Sequence, residues 1–248
     1  RELIGNTRFQ RVNEAETDTT FLTSERMEII DRDSLSVVDA FGIVRIWSPR
    51  YASASEEARY NDDDEVFYLQ SNARLWQEST QLSSENIHIQ LREDDIKSLK
   101  AFPRAISVRP DSITGRFNQI VGDTLSMYFT YNELERIEVN PNTEMIAHEK
   151  DESGNPEFAM RIRSQSLNVY FKQGAIDSLK YYEAVDGEYI PEVQQPGSLR
   201  LNEFRYDPDM KPERPESWLK PRLEYPASEP PFSWPARYQE YLNNSTED

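Results

Sequence analysis

Four stretches of the chain superimpose on one another, and this repetition limits the fold more than any other feature. They are "LTSERMEII" (22–30), "LSSENIHIQL" (82–91), "IVGDTLSMYF" (120–129) and "IRSQSLNVYF" (162–171). Each has an apolar residue, a polar one, a small one (Ser24, Ser84, Gly122, Ser164) and then a polar or acidic one, before a run in which apolar residues recur every second position. A spacing of two is the strand period. "YASASEEARY" (51–60) reads as a degenerate fifth copy with Ala54 at the small position, so successive small positions lie 30, 30, 38 and 42 residues apart. A period in this range marks stacked supersecondary units. Asp123 then aligns with Glu25, Ser55, Glu85 and Gln165. A metal ligand or general acid would not recur as Ser and Gln, so Gly122-Asp123 reads as a structural break. The small side chain is the kind needed where a strand bends or bulges.

A turn and a second strand follow each repeat. Turns are expected at Glu93-Asp94-Asp95, Asn132-Glu133 and Gln173-Gly174, with strands resuming at Ile96, Leu134 and Ile176. Asn and Gly supply the positive φ of such turns. In the earlier units the second strands are "GIVRIWS" and "NARLWQE", which match Trp47 to Trp76 at a distance of 29 residues. Helical periodicity is confined to a single turn at Ser55–Arg59. Residues 19–190 are therefore expected to form one repeat domain of about ten to twelve antiparallel strands, preceded by a lead-in at 1–18. Ten of the fifteen prolines lie between Pro191 and Pro235. Proline cannot donate to a ladder, so 191–248 is expected to be extended and irregular, pinned by Phe204, Tyr206, Trp218, Phe232 and Trp234. It either covers an open sheet edge or docks a partner, and "YQEYLNNSTED" at its end reads as a short helix or a frayed terminus.

Charge and composition exclude several functions. The 45 acidic against 28 basic side chains give a net charge of -17, which repels phosphate backbones and argues against a nucleic-acid partner. No apolar run approaches the ~20 residues that cross a bilayer. Cysteine is absent, which removes disulfides, thiolate metal sites and a Cys nucleophile together. The chain opens on Arg1 without a signal-peptide core, and is read as a trimmed or processed chain whose targeting segment has been removed. His88 and His148 sit at polar positions of strands with no second ligand nearby and read as satisfied surface histidines. Asp62-Asp63-Asp64 lacks the Gly and trailing Glu of a calcium loop and reads as a solvated turn. No G-x-S-x-G elbow or phosphate-cradling loop is present. Trp47 and Trp76 are read as covering a sheet face or edge, with a sugar-stacking platform as the alternative. No catalytic, metal or cofactor-binding residue is assigned.

The stretch "FNQIVGDTLSMYFTYNELERIEVNPNTEMIAHEKDESG", continued by "MRIRSQSLNVYFKQGAIDSLKYYEAVDGEYIPE", closely resembles the organic-solvent-tolerance-A-like (OstA-like) family, the Bacteroidetes-type relatives of the periplasmic lipopolysaccharide-transport protein LptA. The closing "LRLNEFRYDPDMKPERP" resembles that family's Pro-rich end, and the resemblance spans about residues 20–215. It implies an all-β fold, an open V-shaped β-jelly roll built from repeated antiparallel strand pairs. It also implies a non-enzymatic periplasmic carrier or bridge for lipopolysaccharide on its way to the outer membrane. The partners would be the lipid's acyl chains, other transport proteins, or further copies of the chain stacked edge to edge. The strongly acidic balance departs from what a phosphate-bearing lipid would favour.

The strand pattern itself places Ile87, Ile89 and Leu91, then Leu125, Met127 and Phe129, then Leu167, Val169 and Phe171 on one apolar face. These nine are the candidate lipid-groove residues; an ordinary filled sandwich core would give the same pattern. The alternative function is a β-solenoid or jelly-roll surface protein that binds glycan or protein through Trp47, Trp76 and its acidic face. A carbohydrate-active β-helix enzyme is a third.

Overall fold

The structure, a computed structural model, describes residues 2–12, 19–32, 35–92, 95–131, 133–194 and 199–215. Two compact units are distinguished, Arg1–Arg214 and Pro215–Asp248, and the first carries everything that follows. The expected Asn132 and Glu93-Asp94 turn residues, Trp218, Phe232, Trp234 and the terminal segment lie outside the described residues.

Among the described residues the strands form one antiparallel sheet of sixteen. In chain order they are β1 (Glu2–Val12), β2 (Thr19–Arg32), β3 (Leu35–Trp47), β4 (Ala52–Asn61), β5 (Val66–Gln77) and β6 (Thr80–Arg92). Then come β7 (Asp95–Phe102), β8 (Ala105–Pro110), β9 (Phe117–Gly122), β10 (Thr124–Thr130) and β11 (Glu133–Asn140). The last are β12 (Thr143–Lys150), β13 (Pro156–Ser164), β14 (Ser166–Lys172), β15 (Ala175–Tyr182) and β16 (Asp186–Pro191). The segment expected to be a lead-in carries β1, and the expected helical turn at Ser55–Arg59 is the middle of strand β4. "GIVRIWS" and "NARLWQE" are the second halves of the long strands β3 and β5 rather than separate strands.

Every one of these strands or strand pairs bends along a common line, the spine. Strands β1 to β6 pass it unbroken, with a shift of register at the bend. The five pairs β7–β8, β9–β10, β11–β12, β13–β14 and β15–β16 break there, so the chain crosses the spine eleven times. One wing of the sheet contains β7, β10, β11, β14 and β15; the second contains β8, β9, β12, β13 and β16. This is the open, V-shaped all-β jelly roll expected from the sequence.

The repeated small-then-polar pair marks every second crossing. Opposite each two-residue insertion, such as Gly42-Ile43 between Phe41 and Val44, the partner strand inserts a single residue. The single residues are Glu25, Glu56, Glu85, Asp123 and Gln165, and those before them are Ser24, Ser55, Ser84, Gly122 and Ser164. The degenerate copy is therefore shifted by one from the sequence alignment: Ser55, not Ala54, stands at the small position. Its hydroxyl shows why, since Ser24, Ser55 and Ser164 each donate across the bend to the carbonyl two residues on, at 2.8, 2.8 and 2.9 Å. These bonds satisfy a carbonyl that the interrupted ladder leaves over. Gly122 meets the demand differently, because a Cβ there would lie 2.3 Å from Val139 Cγ1. Asp123 accepts from Asn142 Nδ2 at 2.7 Å and its N–H donates to the Pro141 carbonyl at 3.0 Å, so Gly-Asp is a corner.

The core lies between the wings, where one apolar cluster includes Met27, Phe67, Ile87 and Leu125 from the first wing and Leu22, Ile46, Leu75 and Leu82 from the second. A smaller cluster lies on the outer face of the second wing. There Ile106, Val108, Val121, Ile146 and Ala159 are covered by Leu201, with Phe117 packed among Leu199, Phe204 and Tyr206. The segment Leu199–Lys211 is thus a strap laid across a face, not along an edge. It is fixed by Gln119, which donates to the Leu199 carbonyl and accepts from the Leu201 N–H, both at 2.9 Å. Further along, Arg74 pairs with Asp207 at 2.9 Å, and Asp207 N–H donates to Gln81 Oε1 at 2.8 Å.

Candidate functional site

Strand alternation sorts each wing into an inner and an outer set. Ile87, Ile89, Leu91, Leu125, Met127, Phe129, Leu167 and Val169 are all buried on the inner side of the first wing, and Phe171 is partly buried against them. Their alternates face outward: His88 stands between Tyr68 and Phe102, ring centroids 4.7 and 5.0 Å away. Burial, and then the positive charge of Lys100, hold the His88 imidazole below its ordinary pKa of 6.5. His148 is buried rather than on the surface, and its backbone N–H donates to Asn118 Oδ1 at 2.8 Å.

The opposing wall comes from the second wing, and the candidate list does not include it. Leu22, Ile46, Leu75, Leu82 and Met145 face the first wing, joined by the partly buried Phe9, Ile120, Ala147 and Ile162. Through the middle of the sheet the two walls touch, and Leu22, Met27, Ile87 and Leu125 are 0% exposed. The interior there is packed mainly by apolar side chains; Ser53 and Ser107 are buried among them, and the Ser53 Oγ has no hydrogen-bond partner among the described residues.

The wings do not face each other crossing for crossing. Arg11, at the second-wing end of β1, pairs with Asp62 at 3.8 Å and Glu65 at 3.4 Å in the first-wing turn between β4 and β5. Arg50, in the second-wing turn between β3 and β4, pairs with Asp95 at the first-wing start of β7. Nearer the spine, the β15 residue Tyr181 donates to Met145 Sδ of β12 at 3.8 Å. Each contact joins a second-wing position to a first-wing position two to four crossings further on. Such an offset follows from the right-handed twist of both wings.

The offset leaves the ends uneven. At the C-terminal end the second wing overhangs: Phe158, Met160 and Ile162 of β13 are only partly buried, and Tyr189 of β16 is 60% exposed with its ring 4.5 Å from Phe158. Tyr181, whose hydroxyl burial pushes up to about 12, closes this mouth toward the spine as a neutral donor. At the N-terminal end Leu3 is 41% exposed, while Leu22 and Met27 just inside are fully covered. Among the described residues both ends carry unpaired edges, since β1 bonds to β2 alone, β15 to β14 alone and β16 to β13 alone.

Two other expected sites are placed as follows. Trp47 and Trp76 both pair with Ala52 and flank it on the outer face of the second wing. Trp76 is buried and donates from Nε1 to Gln81 Oε1 at 3.0 Å. Together they form part of a cleft of about 400 Å³ that also includes Tyr51, Glu78 and Lys211. Asp62, Asp63 and Asp64 form the turn between β4 and β5, in which Asp62 accepts from the Tyr60 hydroxyl at 2.7 Å and Asp64 from Asn61 at 2.6 Å.

No family model matches the chain, and no curated protein matches it. Among solved structures it is similar to LptH of Pseudomonas aeruginosa, described as the LptA-homologous periplasmic component of the lipopolysaccharide transport device. The two share 10% identity and a TM-score of 0.43 over 56% of this chain and 93% of that one. Among the described residues no helix is long and apolar enough to cross a membrane.

Proposed function

We propose that the chain is a non-enzymatic carrier or bridge for lipopolysaccharide in the periplasm, with acyl chains held between the two wings. The observation that carries this reading is the interior: two apolar walls that, among the described residues, share a strand ladder only through the spine, with apolar side chains only partly covered at the C-terminal mouth. Such walls can part without breaking a ladder. An acyl chain entering between them replaces wall-to-wall contact by wall-to-chain contact, so parting them costs little apolar exposure. At ~0.8 kcal/mol per buried methylene, a chain of a dozen carbons gains roughly 10 kcal/mol gross on leaving water. The nine candidate residues would line one wall, and Met145, Met160, Ile162 and Tyr189 the other. The resemblance of residues 20–215 to the OstA-like family supports the same reading.

Handing lipid onward needs a continuous interior from one molecule to the next. The unpaired edges suit strand addition. Both β1 and the β15–β16 pair run from the first wing to the second, so a head-to-tail neighbour would add β1 parallel to them. Arg8, on the outer face of β1, would meet a β16 edge that carries Asp186 and Glu188 on the same face.

Gel filtration of the protein with purified lipopolysaccharide, and separately with its de-acylated form, tests the reading. Co-elution of the intact lipid alone is the expected result. Co-elution of both would favour a glycan site, for which the Trp47–Ala52–Trp76 cleft is the candidate. Co-elution of neither refutes the carrier.

A further inference from the structure

We infer that the margin opposite the spine carries an ion-pair latch, formed by Arg11 with Asp62 and Glu65 and by Arg50 with Asp95, that holds the wings shut over the N-terminal crossings and makes the C-terminal end the entrance. The inference rests on the carrier reading for what enters, but the latch itself is a property of the empty protein.

The spine acts as the hinge of the V, so contacts at the opposite margin resist opening with the longest lever arm. All the latch groups lie there, Arg11 and Arg50 at second-wing tips and their acceptors at first-wing tips. Both sides are held in place before they meet. The acceptor turn is tied to β6, with Leu91 N–H donating to the Glu65 carbonyl at 2.9 Å and Gln90 Nε2 to the Asp64 carbonyl at 2.7 Å. The Arg11 guanidinium lies 5.5 Å from the Tyr60 ring centre, and the side chain is only 17% exposed. On the donor side, Ser48 Oγ accepts from the N–H groups of Arg50 and Tyr51 at 3.2 and 3.3 Å, which fixes the turn that presents Arg50. Partly exposed pairs of this kind are individually weak, which suits a closure that must open.

The offset of the wings places both pairs in the first seven crossings. It also carries the inner side chains Phe158, Met160 and Tyr189 past the end of the first wing, where Phe158 and Met160 are only partly covered and Tyr189 is exposed. Entry from that end starts on apolar surface already exposed and proceeds toward the latched end.

The chain has no cysteine, so paired spin labels can be placed cleanly. One pair, Pro49→Cys with Asp63→Cys, spans the latched margin; the other, Tyr131→Cys with Ser153→Cys, spans the C-terminal margin. All four positions are exposed turn residues. Without lipid, Arg11→Gln with Arg50→Gln is expected to lengthen and broaden the first distance and leave the second unchanged. Salt at about 1 M, where screening reaches down to about 3 Å, should do the same to the unsubstituted pairs. A first distance that ignores both the substitutions and the salt overturns the latch. With purified lipopolysaccharide, the second distance should lengthen while the first holds, and both should lengthen in the double variant. If the first lengthens as readily as the second with the latch intact, the entrance is wrongly assigned. If lipid neither co-elutes nor changes either distance, the carrier reading fails, and the lipid-free comparison still decides the latch.

Discussion

Replacing Gly122 by alanine tests why the repeated small position exists. The added Cβ would lie 2.3 Å from Val139 Cγ1 and 3.3 Å from the Pro141 carbonyl oxygen. Neither neighbour can yield easily: Val139 is 0% exposed in the interior and Pro141 is part of the next corner. Overpacking of this kind costs about 1–3 kcal/mol. In a domain of this size each kcal/mol lowers Tm by about 2–4 °C, so Gly122→Ala should melt roughly 2–12 °C below the parent. Val139→Ala alone removes buried methyls and should cost about 1–3 kcal/mol. The double variant should cost less than the sum, because the second change makes room for the first; residues in contact couple by about 0.5–3 kcal/mol. Asp123→Asn at the neighbouring position should stay within about 0.5 kcal/mol. Thermal and urea unfolding of the four proteins decides the matter. An unchanged Tm for Gly122→Ala, or strictly additive costs, would show that the corner does not require a small residue.

Three further outcomes are expected. Leu201→Ala, which removes the most buried side chain of the strap, should destabilise by about 2–5 kcal/mol in urea titration; a cost below about 0.5 kcal/mol would mean that the strap is not part of the cooperative unit. Ser53→Ala relieves a buried hydroxyl with no partner among the described residues and should stabilise by about 1 kcal/mol, whereas destabilisation would reveal a bond to that hydroxyl. His88 should titrate below 6.5 by NMR, and Lys100→Gln should move it up; because its folded value is the lower one, the unfolded chain takes up the proton first, so stability from this group is present above 6.5 and is lost as pH falls through the folded value.

The first wing could be read from the sequence and the second could not, for a physical reason. In β6 beyond the bend, β10 and β14, inner residues are apolar and outer ones polar, so Ile87, Leu125 and Leu167 announce their side. In β8 the run Ala105–Val108 is buried throughout, because the strap covers the outer face and the first wing covers the inner one. A strand buried on both faces loses its alternation. That cover depends on Leu199, Leu201, Phe204 and Tyr206 returning across the sheet from far along the chain. Strand β13 was legible in principle, since Phe158, Met160 and Ile162 alternate with Glu157, Ala159 and Arg161. The one-residue error at Ser55 arose because Ala54 and Ser55 are both small, and only the hydroxyl bond to the Glu57 carbonyl separates them. Strand β1 is an edge with mostly exposed side chains, so little of its pattern reflects a core.

The central claim is that lipid lies between the wings, and photo-crosslinking tests it most directly. A photoreactive residue at Phe129, buried on the inner face, at Tyr189, in the C-terminal mouth, and at His88, on the outer face, would each be exposed to purified lipopolysaccharide. The account predicts adducts at 129 and 189 and none at 88. Adducts at 88 alone, or at none of the three in folded protein, would contradict it.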